Sequence, residues 1–372
     1  MPDAKKGETK NQHYVPQFYQ RNFSVDGKTI GAYILEKEKA VEQAPIKHQS
    51  SEDYFYSENM KIEEALSGME GMASDVIAKI LAEPKTVRSK EERYTIYSFV
   101  MIQIGRTLAQ ANFLQETADK TARMMLKKYV AAMRNSEDAT EVEGITDEII
   151  DSVSINLKEP GLFALGNQAQ LVNTCVDLEC KVLVNNTRVS FIISDNPACM
   201  YDTFLERMNE FTYALGSRGL QIYFPLSDKI ALFYYDSKCY KLGDRKKKYV
   251  EMNDENDIWE LNKLSACSAN KVIYYKSGTI SKPEIVSLGE LALRFKPEDQ
   301  VETIEGGKSD KGEIVGTLRR SMFCQLKLNF VKELPAFKAK TKESYNWNTD
   351  RLREIAYYKD EIVKRSKKNS IQ

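Results

Sequence analysis

The sequence predicts an α+β protein: a helical N-terminal region packed with a mostly antiparallel β-sheet, then a C-terminal strand and a charged helix. Three observations carry that expectation. Apolar residues recur at helical spacing between Ile62 and Ile80, and they crowd nearly every face from Tyr94 to Leu108. Beyond residue 176 the pattern changes to short β-branched and aromatic runs separated by Asn, Asp and Ser. With 42% hydrophobic and 10% aromatic residues in 372, the chain can bury a sizeable core. The expected organisation is an unstructured N-terminus over 1–10, a single large α+β domain over 11–335, and a charged C-terminal helix or tail over 336–372. Within the domain, 11–176 is the mainly helical part and 177–335 the sheet-rich part.

Taken in order, the domain opens with Gln12-His13-Tyr14-Val15-Pro16-Gln17-Phe18-Tyr19-Gln20-Arg21-Asn22-Phe23, which holds one of only two histidines. Pro16 is suited to begin a helix, because its missing N–H would be unpaired there anyway. Asp26-Gly27 supplies the backbone angles of a tight hairpin turn, with Ile30 to Leu35 as a strand. Ser50 to Tyr56 reads as a short aromatic loop or strand. In the helix from Ile62 to Ile80, Glu63 and Glu70 share one side, and Glu70 sits at the edge of the apolar face. Ser89-Lys90-Glu91-Glu92 is a capping-box start for the next helix. Arg106 falls in register with Phe99 and Ile102, and Gln103 lies on the same face; a buried arginine cannot shed its charge and demands an anion. The helix is expected to continue, kinked, through Tyr129, with Lys120, Arg123, Lys127, Lys128 and Arg134 on a basic outer side.

Thr146 to Leu157 and Leu162 to Val176 read as further helices. Cys180 to Val184 and Val189 to Ile193 read as a hairpin turned at Asn185-Asn186, ending in Ser194-Asp195-Asn196-Pro197. Leu220 to Leu226 and Ile230 to Tyr235 form a second hairpin. Asp254 to Ala269 is helical and Lys271 to Lys276 extended. Lys282 to Gly312 reads as polar loop, and Met322 to Val331 alternates as a half-buried strand.

Composition narrows the function classes. Lys plus Arg (54) equals Asp plus Glu (54), so no net charge marks a nucleic-acid or membrane binder. No run approaches the roughly 20 apolar residues of a membrane span, and Met1 to Lys10 lacks the apolar core of a signal peptide. Six cysteines without a CxxC pair read as reduced, buried thiols of a cytoplasmic protein. There is no Walker A loop, dinucleotide fingerprint, nucleophile elbow or zinc-spaced cluster, and two histidines exclude a multi-histidine metal site.

The residues with chemistry therefore stand singly. His13 is either a buried structural imidazole or an acid/base group or metal ligand, since imidazole exchanges a proton near neutral pH. Gln17 and Arg21 lie four apart on its helical side. Asp195 either bonds its own following amides as an Asx turn or reaches from the sheet end into a pocket, to pair with Arg106, ligate a metal or orient His13. Asp177-Leu178-Glu179-Cys180-Lys181 has the carboxylate–lysine spacing of half a metal-dependent nuclease site, a short pattern common by chance. The basic run Arg245-Lys246-Lys247-Lys248 is followed by acids and reads as a solvated loop.

The opening His13-Tyr14-Val15-Pro16-Gln17-Phe18-Tyr19 with Arg21-Asn22-Phe23 resembles that of the DUF4238 family, bacterial proteins of unassigned function. Asp53-Tyr54-Phe55-Tyr56, Ile62-Glu63 with Leu66 and Glu70-Gly71, Arg106-Thr107, Phe191-Ile192-Ile193-Ser194-Asp195-Asn196-Pro197, Phe224-Pro225-Leu226-Ser227 and Leu261-Asn262 follow in family order. The resemblance spans residues 11 to 276 and departs at Gln20, where leucine is usual. It implies that His13, Gln17, Glu70, Arg106 and Asp195 belong to one shared site.

The resulting expectation is a hydrolase or nuclease acting on a phosphate-containing or nucleic-acid substrate; the kind of family suggests stress or phage defence as its setting. His13, Glu70, Arg106 and Asp195 would be catalytic. Gln17, Arg21, Gln103, Asn196 and Asn262 would bind substrate, with a divalent metal as the cofactor to look for and nucleic acid or nucleotide as the partner class. The alternative is a ligand-binding or sensor module built from the same groups.

Overall fold

The computed structural model of the chain describes residues 10–58, 60–137, 139–207, 214–296, 301–309, 312–319, 324–340, 351, 353 and 356. The opening motif is extended as β1 (Asn11–His13), and Pro16 caps a short helix, α1 (Gln17–Arg21). β2 (Thr29–Ile34) and β3 (Lys39–Pro45) pair antiparallel. The tight turn between them includes Glu38 at φ +45°, not Asp26-Gly27. Asp26 instead gathers the N–H groups of Lys28 and Thr29 on its carboxylate and shapes the approach to β2. β4 (Ser51–Asp53) returns to pair with β1.

The helical part follows the apolar periodicity. α2 (Met60–Ala82) and α3 (Lys90–Gly105) pack together, and α3 opens with the capping box of Ser89 and Glu92. The ladder breaks at Arg106, and Thr107 caps α4 (Leu108–Met133) with its hydroxyl. α5 (Asp147–Ser152) is shorter than expected, and α6 (Pro160–Leu171) runs into a 3-10 turn at Val172–Cys175. Gly105 permits α6 to close on the end of α3: a Cβ there would lie 2.1 Å from the Gln168 Cβ. That contact helps fix where α3 stops.

The sheet-rich part departs from the expected first hairpin. β5 (Glu179–Asn185) pairs with a later strand, while β6 (Ile193–Ser194) joins a different sheet. Asn185 causes the redirection: its side chain bonds Val189 O at 2.7 Å and the Thr187 N–H at 2.9 Å, which turns the chain out of the sheet plane. β7 (Cys199–Tyr201) and α7 (Thr203–Arg207) precede the second hairpin, β8 (Gln221–Pro225) and β9 (Ile230–Tyr235), which forms as expected. β10 (Tyr240–Leu242), β11 (Tyr249–Met252), α8 (Glu255–Cys267) and β12 (Val272–Tyr275) complete this part.

Two sheets result. One has the order β11-β5-β9-β8-β7, antiparallel except for the β11–β5 edge; the other is antiparallel in the order β3-β2-β12-β6. Side chains alternate across a strand, so Ile222, Phe224 and Leu232 face the core shared with α2 and α3. Tyr223 and Phe233 face α8 on the other side.

The expected polar loop over Lys282 to Gly312 is instead α9 (Lys282–Phe295) and β13 (Val301–Ser309). Ser281 and Glu284 make a capping box, and Ile285, Leu288 and Ala292 put an apolar stripe into the core. β14 (Gly312–Arg319) pairs with β13. Of the strand expected over Met322 to Val331, the described residues 324–330 are irregular, and β15 (Val331–Glu333) begins where that run ends. β15 is followed by α10 (Pro335–Lys338). Residues 1–9 of the unstructured terminus expected over 1–10, and most of the charged tail expected over 336–372, lie outside the described residues.

Candidate functional site

Arg106 is placed by the break between α3 and α4, and it is 1% exposed. Its Nε–H donates to the Tyr56 hydroxyl at 3.0 Å, one Nη to Glu70 Oε1 at 2.7 Å and the other to the His13 carbonyl at 2.8 Å. The anion that a buried arginine demands is therefore Glu70, part-exposed at the edge of α2's apolar face. One guanidinium ties three segments distant in sequence; burial works against its charged form, and Tyr56 and Glu70 more than offset that.

Amide side chains tighten the same frame. Gln12 donates to Ser57 O at 2.8 Å and accepts the Tyr56 N–H at 2.7 Å. Gln103 donates to Tyr14 O at 2.8 Å, so it holds the motif's backbone. Gln20, where the opening departs from the resemblance, is buried and donates to Val15 O at 3.0 Å.

Within this frame the His13 ring is half-buried, and its Nε2 is buried with no hydrogen-bond partner. Burial lowers its pKa; the Lys47 carbonyl opposes that effect, and the charges of Arg106, Arg21 and His48 reinforce it. The imidazole is thus kept neutral at pH 7, with an unused ring nitrogen. Glu63 is its counterpart on α2. Its Oε2 is also buried and unpartnered, and burial raises its pKa, opposed by Arg106 and reinforced by Glu70. A neutral base and an acid reluctant to ionise flank the same guanidinium. That is the kind of arrangement by which environments assign acid and base roles.

Arg21 lies on the exposed face of α1 and donates to Gln17 Oε1 at 3.0 Å. No acidic partner of Arg21 occurs among the described residues, yet its charge reaches the His13 ring. Arg21, with Gln17 bonded to it, thus lies within electrostatic reach of the imidazole.

The sequence model of a family described as "Protein of unknown function (DUF4238)" matches residues 11–279. The chain belongs to the DUF4238 family. No curated protein and no solved structure matches it. The DUF4238 match takes in every residue of the cluster around Arg106 and stops short of α9.

Other expected site residues of this DUF4238 protein go elsewhere. Asp195 is fully buried, and its two oxygens accept the N–H groups of Asn270 and Lys271, each at 2.7 Å. The Asx turn expected of it, onto its own following amides, gives way to amides from the turn after α8, and the Asn196 N–H donates to Ser194 Oγ instead. Burial pushes the Asp195 carboxyl up to about 6 against the pull of those amides. Its charge is felt by Tyr14 and Tyr274, so it stands behind the motif and has neither Arg106 nor the His13 ring as a hydrogen-bond partner. Asn196 donates to Ser268 O at 3.2 Å. Asn262 binds Ser190 O at 2.9 Å and the Ile192 N–H at 3.1 Å, joining α8 to the strand edge.

The nuclease-like spacing also disperses: Asp177 pairs with Arg351, Glu179 with Lys248, and Lys181 donates to the carbonyls of Asp244 and Lys247. Among the described residues no three His, Cys, Asp or Glu side chains form a group able to hold a metal ion. Nor is any described helix long and apolar enough to cross a membrane.

Tyr56, Gln12 and Glu63 are the members that sequence reasoning left out of the site. Glu63 had a signal, its seven-residue spacing from Glu70, but nothing in the sequence marks its carboxylate as buried.

Proposed function

We propose that this DUF4238 protein is a hydrolase centred on His13, acting on a small substrate with a phosphate-type anionic group. The observation that carries the reading is the buried, unpartnered Nε2 of a neutral imidazole. His13 Nε2 takes a proton from the attacking water; Glu63, whose burial favours its protonated form, gives one to the leaving oxygen. Arg106 and Glu70 position both groups, because the guanidinium is engaged by three partners of its own. Arg21 with Gln17 is the pair left to hold the substrate's anion, which suits one phosphate group better than a polynucleotide track. Mononucleotides and phosphomonoesters therefore rank ahead of RNA or DNA. Such an enzyme would fit the stress or phage-defence setting suggested by the family resemblance.

A second reading, a ligand-binding or sensor module, rests on the exposure of the Arg21–Gln17 pair, which can hold an anion without His13 taking part. One experiment separates the two. Nucleotides, a chromogenic phosphomonoester, RNA and DNA are offered to wild type, His13→Gln and Glu63→Gln, with binding measured by calorimetry and thermal stability recorded alongside. The hydrolase reading expects product from wild type and a loss of about 100-fold or more in His13→Gln with the fold intact. Binding without product supports the sensor. Undiminished turnover in a folded His13→Gln removes His13 from the chemistry.

A further inference from the structure

At the far end of α2 and α3 from Arg106, a cavity of about 320 Å3 opens between these helices and the five-stranded sheet. Tyr97 to Arg106 is nine residues of α3, so roughly 14 Å separates it from the His13 site at a helix rise of 1.5 Å per residue. The sheet side explains the gap. On β5, Cys180, Val182 and Val184 face the helices and stay part-exposed, whereas Leu183 on the opposite face is fully buried. The walls are Ile80, Ile96, Leu178, Val182, Leu232 and Tyr97.

Interior polar groups already have partners. The Tyr97 hydroxyl donates to Val172 O and accepts the Cys175 N–H at 3.2 Å, while the Cys180 thiol meets the Tyr234 hydroxyl. The interior therefore favours an apolar guest, and all available polarity lies at the mouth. There, Arg88, Arg93 and Lys248 outnumber Glu179. Arg88 is engaged by the carbonyls of Lys79 and Glu83, which end α2. Lys248 pairs with Glu179 at 2.9 Å. Arg93 is exposed and has no acidic partner among the described residues. Val87 and Tyr94 are 61% and 52% exposed at the same mouth, apolar surface that a guest would cover.

We propose that this cavity binds a medium-chain fatty carboxylate, its carboxylate on Arg93 and its chain along Val182 and Leu232. A guanidinium fork matches one carboxylate. The volume lies at the low end of the roughly 300–1,000 Å3 usual for small-ligand sites, which admits one acyl chain and not a two-chain lipid. The site is independent of the proposed hydrolase chemistry.

The test is calorimetry on the full chain with octanoate, octanol and octylamine, using wild type, Arg93→Glu and Val182→Trp. Octanoate is expected to bind wild type about tenfold tighter than octanol, with octylamine weakest, a charge preference that Arg93→Glu erases. Val182→Trp fills the cavity and is expected to abolish binding while thermal stability holds; Ile80→Phe, filling from α2, makes the same test should that variant misfold. Absence of octanoate binding at millimolar concentration, or octanoate affinity unchanged in Arg93→Glu or in a folded cavity-filling variant, overturns the proposal.

Discussion

Replacing Arg106 by methionine keeps the side chain's bulk while removing every donor. Glu70, the Tyr56 hydroxyl and the His13 carbonyl then lose bonds of 2.7, 3.0 and 2.8 Å. Removing one member of a buried ion pair typically costs about 3–5 kcal/mol. The Glu70 side chain is 24% exposed, so water can partly replace its lost partner and the lower end applies. The two neutral acceptors each forfeit a charge-assisted bond but remain within reach of one another's segments, so the losses do not add in full. A net loss of about 3 kcal/mol follows, equivalent to a fall in Tm of roughly 4 °C for a chain of this size. The assay is denaturant unfolding of a double-mutant cycle with Glu70→Met. Because the second substitution removes the stranded carboxylate, the double variant should be more stable than the sum of the singles implies, by about 1.5 kcal/mol or more. Strict additivity, or a loss under about 1 kcal/mol for Arg106→Met, would refute the claim that this guanidinium holds the site together.

Two further outcomes follow from buried carboxyls. Asp202 is 1% exposed; its Oδ1 accepts the Phe204 and Leu205 N–H groups, and burial pushes it up to about 8, so the native state keeps its proton where the unfolded chain has released it. The native state binds more protons between the ordinary aspartate range and that value, so this group's contribution to stability falls as pH rises toward 8. Asp202→Asn should therefore raise Tm at pH 8 and change it least near pH 4, read by thermal melts across pH; a pH-independent effect would contradict the assignment. Asp195→Asn replaces one acceptor by a donor facing the Asn270 or Lys271 N–H, and should cost about 1–3 kcal/mol in denaturant melts without altering the titration of His13. A shifted His13 titration would place Asp195 nearer the ring than its bonding implies.

Local chemistry was readable from sequence wherever one residue decided the outcome. The capping box at Ser89, the β8–β9 hairpin and the demand of Arg106 for an anion all follow from residue type and spacing. What failed to show was which groups meet across the chain. Asp195 looked equally suited to a pocket or to a turn; the amides of Asn270 and Lys271, some 75 residues on, settle its partners. α9 was hidden because its exposed face is polar and its apolar stripe is narrow, while Lys282-Pro283 at its start imitates a loop. The β5–β6 hairpin was expected from Asn185-Asn186, yet the Asn185 side chain bonds its own turn and sends the strands to separate sheets. Glu63 was visible on the right side of its helix, but burial of a carboxylate is a tertiary property.

The most direct test is the titration of His13 itself, followed by 15N or 13C NMR of the imidazole and assigned against His13→Gln in a chain with two histidines. The native pKa is lowered by burial from the ordinary 6.5, so the native state binds fewer protons than the unfolded chain below that pH. His13 should accordingly be neutral at pH 7, titrate below 6.5, and penalise stability as the solution is acidified past that point. A pKa at or above 6.5 would mean that the ring is solvated or paired with an acid, and the neutral, unpartnered base on which the proposed site depends would not exist.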